Sequence, residues 1–194
     1  MHARRIAIWL AALALFVGAA ARADENRYQT INLDSAQSHA AFSVKAFWLF
    51  VVHGTFGNVH GTVRIDHFRS QAVVDARINV DAVHMSNHGY EQGVRSEEFF
   101  DAEHYPEIHF VSDSFPLVRL DQGGPLPGML SMHGTSHPVD FLIAPARCAR
   151  PAFDCPLRAA GHISRSAFGM QAHGATLGDK VDLTLSIEVT EAPS

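Results

Sequence analysis

From Ala72 to Val83 the even positions are Ala72, Val74, Ala76, Ile78, Val80 and Ala82. The odd positions between them, Val73, Asp75, Arg77, Asn79, Asp81 and Val83, are mostly polar. The same rhythm returns near the C-terminus, where Val181, Leu183, Leu185, Ile187 and Val189 alternate with Lys180, Asp182, Thr184, Ser186 and Glu188. A period of two puts successive side chains on opposite faces, so each segment reads as a strand with one dry and one wet face. Antiparallel sheets allow that arrangement, whereas buried parallel sheets do not.

Other stretches follow the rule more loosely. Ala40, Phe42, Val44 and Ala46 share one face of an earlier strand, and Val59, Gly61, Val63 and Ile65 share another. Further strands are expected at 108–114, 128–134, 139–143 and 157–163. Gly123-Gly124-Pro125 and Pro127-Gly128 read as turns, and Arg69-Ser70-Gln71 as a strand connection. About eight strands at this spacing predict an all-β barrel or sandwich. Between Met85 and Pro106 the pattern breaks. There Ser96 is expected to cap a short helix carrying Glu97 and Glu98 in its first turn. Phe99 and Phe100 would then cover one end of the fold.

The N-terminus has a different character. Arg4 and Arg5 precede an apolar run from Ile6 to Ala21, followed by Ala21-Arg22-Ala23. This order of charged, apolar and small segments predicts a secretory signal peptide at 1–23, cleaved after Ala23. The alternative is an uncleaved N-terminal anchor. Residues 24–194 then form a single soluble domain with no stable membrane span. Without the leader's three arginines the net charge of −5 becomes −8, and two lysines remain, Lys45 and Lys180. An acidic chain without a basic patch argues against nucleic acid, whose phosphates supply most of such affinity. In an oxidising compartment Cys148 and Cys155, joined by a turn-like stretch, favour a local disulfide over free thiols.

Catalytic signatures are absent: there is no G-x-S-x-G elbow, no H-E-x-x-H helix and no phosphate-binding glycine loop. The sequence gives no reason to propose an enzyme. Histidine is abundant, with 13 in the chain, and imidazole is a common metal ligand. His53, His60 and His67 recur at a spacing of seven, but an odd spacing on one strand sends neighbours to opposite faces. Glu107 and His109 do share a face. A histidine-rich metal-binding protein or metal-dependent hydrolase is therefore the rival reading, against solvated or turn-bound histidines. The apolar faces also have two readings. They either fill a packed core, which pattern alone favours, or line a barrel that stays partly open to an apolar ligand. Small facing residues such as Ala40, Ala76, Ala159 and Gly161 would leave room.

Several motifs carry a family resemblance. They are Asn32-Leu33-Asp34 with Ser38 and Phe42-Ser43-Val44, then Val52-His53-Gly54-Thr55-Phe56 with Gly61. Arg95-Ser96-Glu97-Glu98-Phe99-Phe100-Asp101 leads on to Tyr105-Pro106, Phe110 and Ser112. Gly128-Met129-Leu130, His133-Gly134 and Pro138-Val139 come next, then Ser164-Arg165-Ser166-Ala167-Phe168-Gly169-Met170 and the strand from Val181. In this order, from about Tyr28 to Glu188, the chain resembles the YceI-like proteins, exported bacterial proteins that bind polyisoprenoid-type lipids. Gln37 departs from the histidine often found before the serine matching Ser38, and the cysteine loop is an elaboration.

The resemblance implies an extended, lipocalin-like antiparallel β-barrel of about eight strands with one or two short helices. It implies a periplasmic carrier whose interior holds an isoprenoid lipid or quinone, with homodimers common in the family. No other cofactor is implied. Phe42, Phe99, Phe110 and Phe168 are expected to touch the tail, with Val44, Val63, Ile65, Val74, Ile78, Val80, Leu183, Leu185 and Ile187 completing the wall. Trp48 is expected near an opening, and Arg165 either at a polar head group or in a structural salt bridge. A structural or stress-protective secreted domain without ligand is the remaining alternative.

Overall fold

The computed structural model describes residues 27–190; the leader lies outside them. The alternating segments form the strands β1 (Tyr28–Asn32), β2 (His39–Ala46), β3 (Phe50–Phe56), β4 (His60–Asp66), β5 (Gln71–Asn79) and β6 (Val83–Met85). They continue as β7 (Glu107–Ser112), β8 (Phe115–Pro116), β9 (Gly124–Met132), β10 (Thr135–Ile143), β11 (Leu157–Ser164) and β12 (Leu177–Ile187). All named strands pair antiparallel, in the order β1-β4-β5-β7-β9-β10-β11-β12-β2-β3-β6, with β8 on β5. The fold is the curled antiparallel β architecture expected, with more strands. The additions are β3, whose inward positions include Gly54, and the short β1, β6 and β8. None of these has a run of alternating bulky residues long enough to register as a period.

The ladder does not return on itself. Its β1 end meets the residues closing β12 through isolated bonds. Leu33 bridges Val189, the Asp34 N–H donates to the Glu188 carbonyl, and the Thr190 N–H donates to Asn32. Buried Ser38 ties the same place, its Oγ donating to the Glu188 carbonyl and accepting from the Glu188 N–H.

Three local expectations are corrected. The strand read as far as Val83 ends at Asn79, because the Asn79 side chain accepts from the Asp81 N–H and starts a 3₁₀ turn, Val80–Ala82. The helix expected to begin at Ser96 instead spans His88–Arg95 (α1). Asn87 caps it through the Gly89 N–H, and Ser96 ends it by bonding back to the Gly93 carbonyl. The turn expected around Gly123 to Gly128 is mostly strand. Pro125 and Pro127 fit there because their carbonyls accept from Arg119 and Asp113, away from the β9–β10 ladder, which is the side on which a proline's missing N–H does no harm. A second helix, α2 (Arg119–Gln122), is a single turn. Among the described residues no helix is long and apolar enough to cross a membrane.

Candidate functional site

The dry strand faces enclose a cavity of about 490 Å³, within the ~300–1,000 Å³ usual for small-molecule sites. Its wall comes from the positions the alternation assigns inward: Ala40, Phe42, Val44 and Ala46 on β2, Val74, Ala76 and Ile78 on β5, and Val181, Leu183, Leu185 and Ile187 on β12. Val63, Ile65 and Phe110 line it too. Whether such faces meet or stand apart depends on pairs of residues across strands. Phe42 faces Gly54, and Phe141 faces Gly161, in direct register. Phe110 lies diagonally from Gly128. In each case the ring takes the space a Cβ would need: the added atom would come within 2.2 Å of Phe42, 2.6 Å of Phe110 and 2.9 Å of Phe141. The glycines thus let three large rings settle against the wall, and the lumen between them stays open.

Aromatic contacts order the interior. Phe42 and Phe56 have centroids 5.6 Å apart, and Phe100 stands edge-on to Phe56 at 5.6 Å. Phe110 and Phe141 meet edge to face at 5.2 Å. Phe100 and Phe99 enter from the segment after α1, which packs beside β6 through buried Glu91. The Glu91 carboxylate accepts from the Met85 N–H at 2.9 Å and pairs with His88 at 3.0 Å. The amide bond from Met85 is the main force holding Glu91 below its ordinary 4.5, with His88 and Arg95 adding to it and burial opposing it.

One end of the cavity carries its more exposed lining, Phe47, Tyr90 and His173. His173 stacks on Phe99, with centroids 5.9 Å apart, and pairs with Glu98 at 2.9 Å. The loop bearing it is held by Arg165. The Arg165 side chain is buried and donates to the carbonyls of Gly178 (3.0 Å), Met170 (2.5 Å), Ala172 (2.7 Å) and Leu177 (3.2 Å). It reaches the lumen, yet its donors are taken up by backbone rather than by the carboxylate expected for a salt bridge. At the other end, Cys148 and Cys155 form a disulfide. The loop it closes does more than trim a hairpin tip, since Pro151, Ala152 and Phe153 line the cavity and the Ala152 carbonyl accepts from Val189.

Three expected contacts lie elsewhere. Val80 is buried by the 3₁₀ turn, with its N–H on the Pro106 carbonyl, and does not reach the lumen. Phe168 is buried outside the cavity beneath His137, at 5.1 Å between centroids, because Arg165–Phe168 turns as a 3₁₀ segment at the end of β11. Trp48 is on the turn between β2 and β3, 91% exposed and outside the lining. The sequence reading overlooked Phe56, Leu126, Leu130 and Met132. A weaker alternation was there to be read on β9, hidden by its prolines.

The histidines serve as connectors. His109 bonds Asp75 at 2.9 Å, Glu107 pairs with Arg77, and His133 bonds the Phe168 carbonyl. His53, His60 and His67 are exposed. Among the described residues no three or more His, Cys, Asp or Glu side chains group to hold a metal ion.

Comparison with known proteins agrees on one family. The YceI-like domain matches residues 31–189. A UPF0312 protein of Pseudomonas putida is 30% identical over 148 residues, which cover 71% of this chain and 72% of that protein. Burkholderia cenocepacia BcnA shares the fold with a TM-score of 0.67 at 20% identity, covering 80% of this chain and 98% of its own. A polyisoprenoid-binding domain from Saccharophagus degradans, implicated in plant cell wall breakdown, does so with a TM-score of 0.60 at 12% identity, covering 84% and 99%.

Proposed function

The chain belongs to the YceI-like family, and on that premise we propose that it is a binding or carrier protein for an isoprenoid lipid or quinone. The observation that carries this reading is the cavity itself. It is walled almost wholly by aliphatic and aromatic side chains, and it is long enough to touch both the disulfide loop and the β2–β3 turn. The polyisoprenoid-binding domain of Saccharophagus degradans, which shares the fold, supports the ligand class. Export to the periplasm is part of the proposal and rests on the leader at 1–23.

Burial drives binding in this reading, at about 0.8 kcal/mol for each CH₂ removed from water. Phe42, Phe99 and Phe110 contact the tail, and the aliphatic residues of β2, β4, β5 and β12 complete the channel. An isoprenoid tail has no polar atoms to satisfy, so a polar group at one end suffices to set its direction. The role is binding, with no catalytic step.

Organic extraction and native mass spectrometry of protein purified from a bacterial host test the proposal. A co-purified lipid of isoprenoid type is expected. Protein that is repeatedly lipid-free and also refuses quinone analogues would sink it. Elemental analysis of untagged protein separates the metal-binding alternative, which requires a stoichiometric transition metal.

A further inference from the structure

The connection between β2 and β3 gathers the longest consecutive run of exposed large apolar residues among the described residues. Phe47, Trp48, Leu49, Phe50 and Val51 are consecutive, and all are exposed, at 60%, 91%, 84%, 64% and 51%. The largest exposed apolar patches on soluble proteins are commonly functional. This one is a projecting hairpin tip.

The backbone holds the rings out at a cost. Phe47 and Trp48 adopt φ of 50° and 63°, and the Leu49 N–H closes the turn on the Ala46 carbonyl. Turn residues at positive φ are usually Gly, Asn or Asp, since bulky residues there are strained. The Phe47 N–H is further tied to the Thr176 carbonyl at 2.7 Å, on the loop that Arg165 organises. The turn is therefore fixed with its aromatic side chains in solvent.

Two further observations point to what the tip meets. Phe47 lines the cavity as well as being exposed, so the apolar lumen and the apolar tip are continuous. The chain's two lysines both flank the tip in an otherwise acidic protein. Lys45 is opposite Val51 on β3, and Lys180 is on β12 just past the irregularity between Leu177 and Val181, with Asp182 as its partner at 2.9 Å. Asp179, beside Lys180, is occupied by Ser164 and Ser166, and Glu98 by His173. A convex tip of Trp, Phe and Leu with lysines behind it matches the interfacial zone of a bilayer, where aromatic rings sit at head-group depth and cations meet anionic lipids.

We propose that the β2–β3 tip inserts into the surface of a lipid bilayer and sets the neighbouring end of the cavity against the membrane. Insertion at the tip is a property of exposed residues and does not require that the cavity be filled. Failure here and failure of the lipid-carrier reading are therefore separable.

The test uses residues 24–194, the chain left after the expected cleavage, in which Trp48 is the single tryptophan. Vesicles of phosphatidylethanolamine and phosphatidylglycerol are compared with vesicles of phosphatidylcholine. Trp48 emission should shift to the blue on mixing and be quenched by brominated acyl chains. The double variant L49S/F50S, both exposed positions, should weaken vesicle partitioning about tenfold or more, as expected for losing two inserted side chains. Lys45→Gln should weaken it about fivefold on the anionic vesicles alone. Unchanged Trp48 emission at saturating lipid, or L49S/F50S partitioning like its parent, overturns the proposal. So does a blue shift that appears without vesicles as protein concentration rises, which would assign the tip to a second copy of the chain. A parental circular dichroism spectrum and thermal midpoint for L49S/F50S verify that the variant is folded.

Discussion

The ring end of Phe42 fills the space that a side chain on Gly54 would need, 2.2 Å from where its Cβ would stand. The two residues are partners across β2 and β3, and their fit holds one of the largest rings in the chain back against the wall. The open lumen depends on this pair and on its two counterparts, Phe141 with Gly161 and Phe110 with Gly128.

Gly54→Ala should therefore drive Phe42 into the lumen. A stability loss of about 1–3 kcal/mol is expected from overpacking, together with weaker binding of a quinone analogue bearing an isoprenoid tail. Adding Phe42→Leu should restore part of both. Chemical denaturation and ligand titration of the single and double variants measure the coupling, and additive losses would show that the pair does not interact as described.

Arg165 is expected to matter for architecture. Arg165→Met leaves four carbonyls without their donor, so a loss of at least ~2 kcal/mol is expected, with faster amide exchange concentrated in residues 170–178. Arg165→Lys should recover only a part, because an ammonium cannot span the four acceptors as the planar fork does. Uniform exchange across the chain would contradict the local role.

Two groups set opposite pH dependences. Glu91 has a lowered folded value, so its contribution is complete above the ordinary 4.5 and is lost as pH falls through the folded value below it. His104 is raised above its ordinary 6.5, chiefly by the hydrogen bond with Asp101, so its contribution is present below 6.5 and is lost as pH rises through the folded value above it. Glu91→Gln should flatten the acid limb of a stability profile, and His104→Asn the alkaline limb. Denaturation midpoints across the pH range test both, and a limb unchanged by its variant would remove that group from the account.

The disulfide closes a short loop, for which loop-entropy arguments give about 2–3 kcal/mol. The paired variant C148S/C155S should lose that much. Because Pro151 to Phe153 line the cavity, it should also release an apolar ligand faster. Stopped-flow displacement of a fluorescent lipid analogue reads the second effect, and an unaltered off-rate would confine the bridge to stability.

How far the sequence disclosed this architecture follows from which property is local. The inward faces of β2, β5 and β12 were legible because the period belongs to each strand alone. Val80 was misassigned because one Asn side chain ended the strand, an event the hydrophobic pattern does not register. Phe168 looked like a tail contact because its motif neighbours are inward, yet a single 3₁₀ turn packs it against His137 in the core, away from the lumen. The open lumen was not legible at all, since it depends on Phe42 meeting Gly54 across a register that no single segment encodes. The disulfide was legible because two cysteines on either side of a turn-like stretch are close enough in the chain to meet.

The ladder that runs from β1 to β6 without returning makes the wall a ribbon with two ends rather than a hoop. A hoop's girth is fixed by its strand number and stagger. A ribbon's girth is fixed by what holds its ends, here the Leu33–Val189 bridge, the Ser38–Glu188 clasp and the packing of α1 on β6. These fastenings are few and local, so the girth of the chamber rests on a handful of contacts rather than on a continuous ladder.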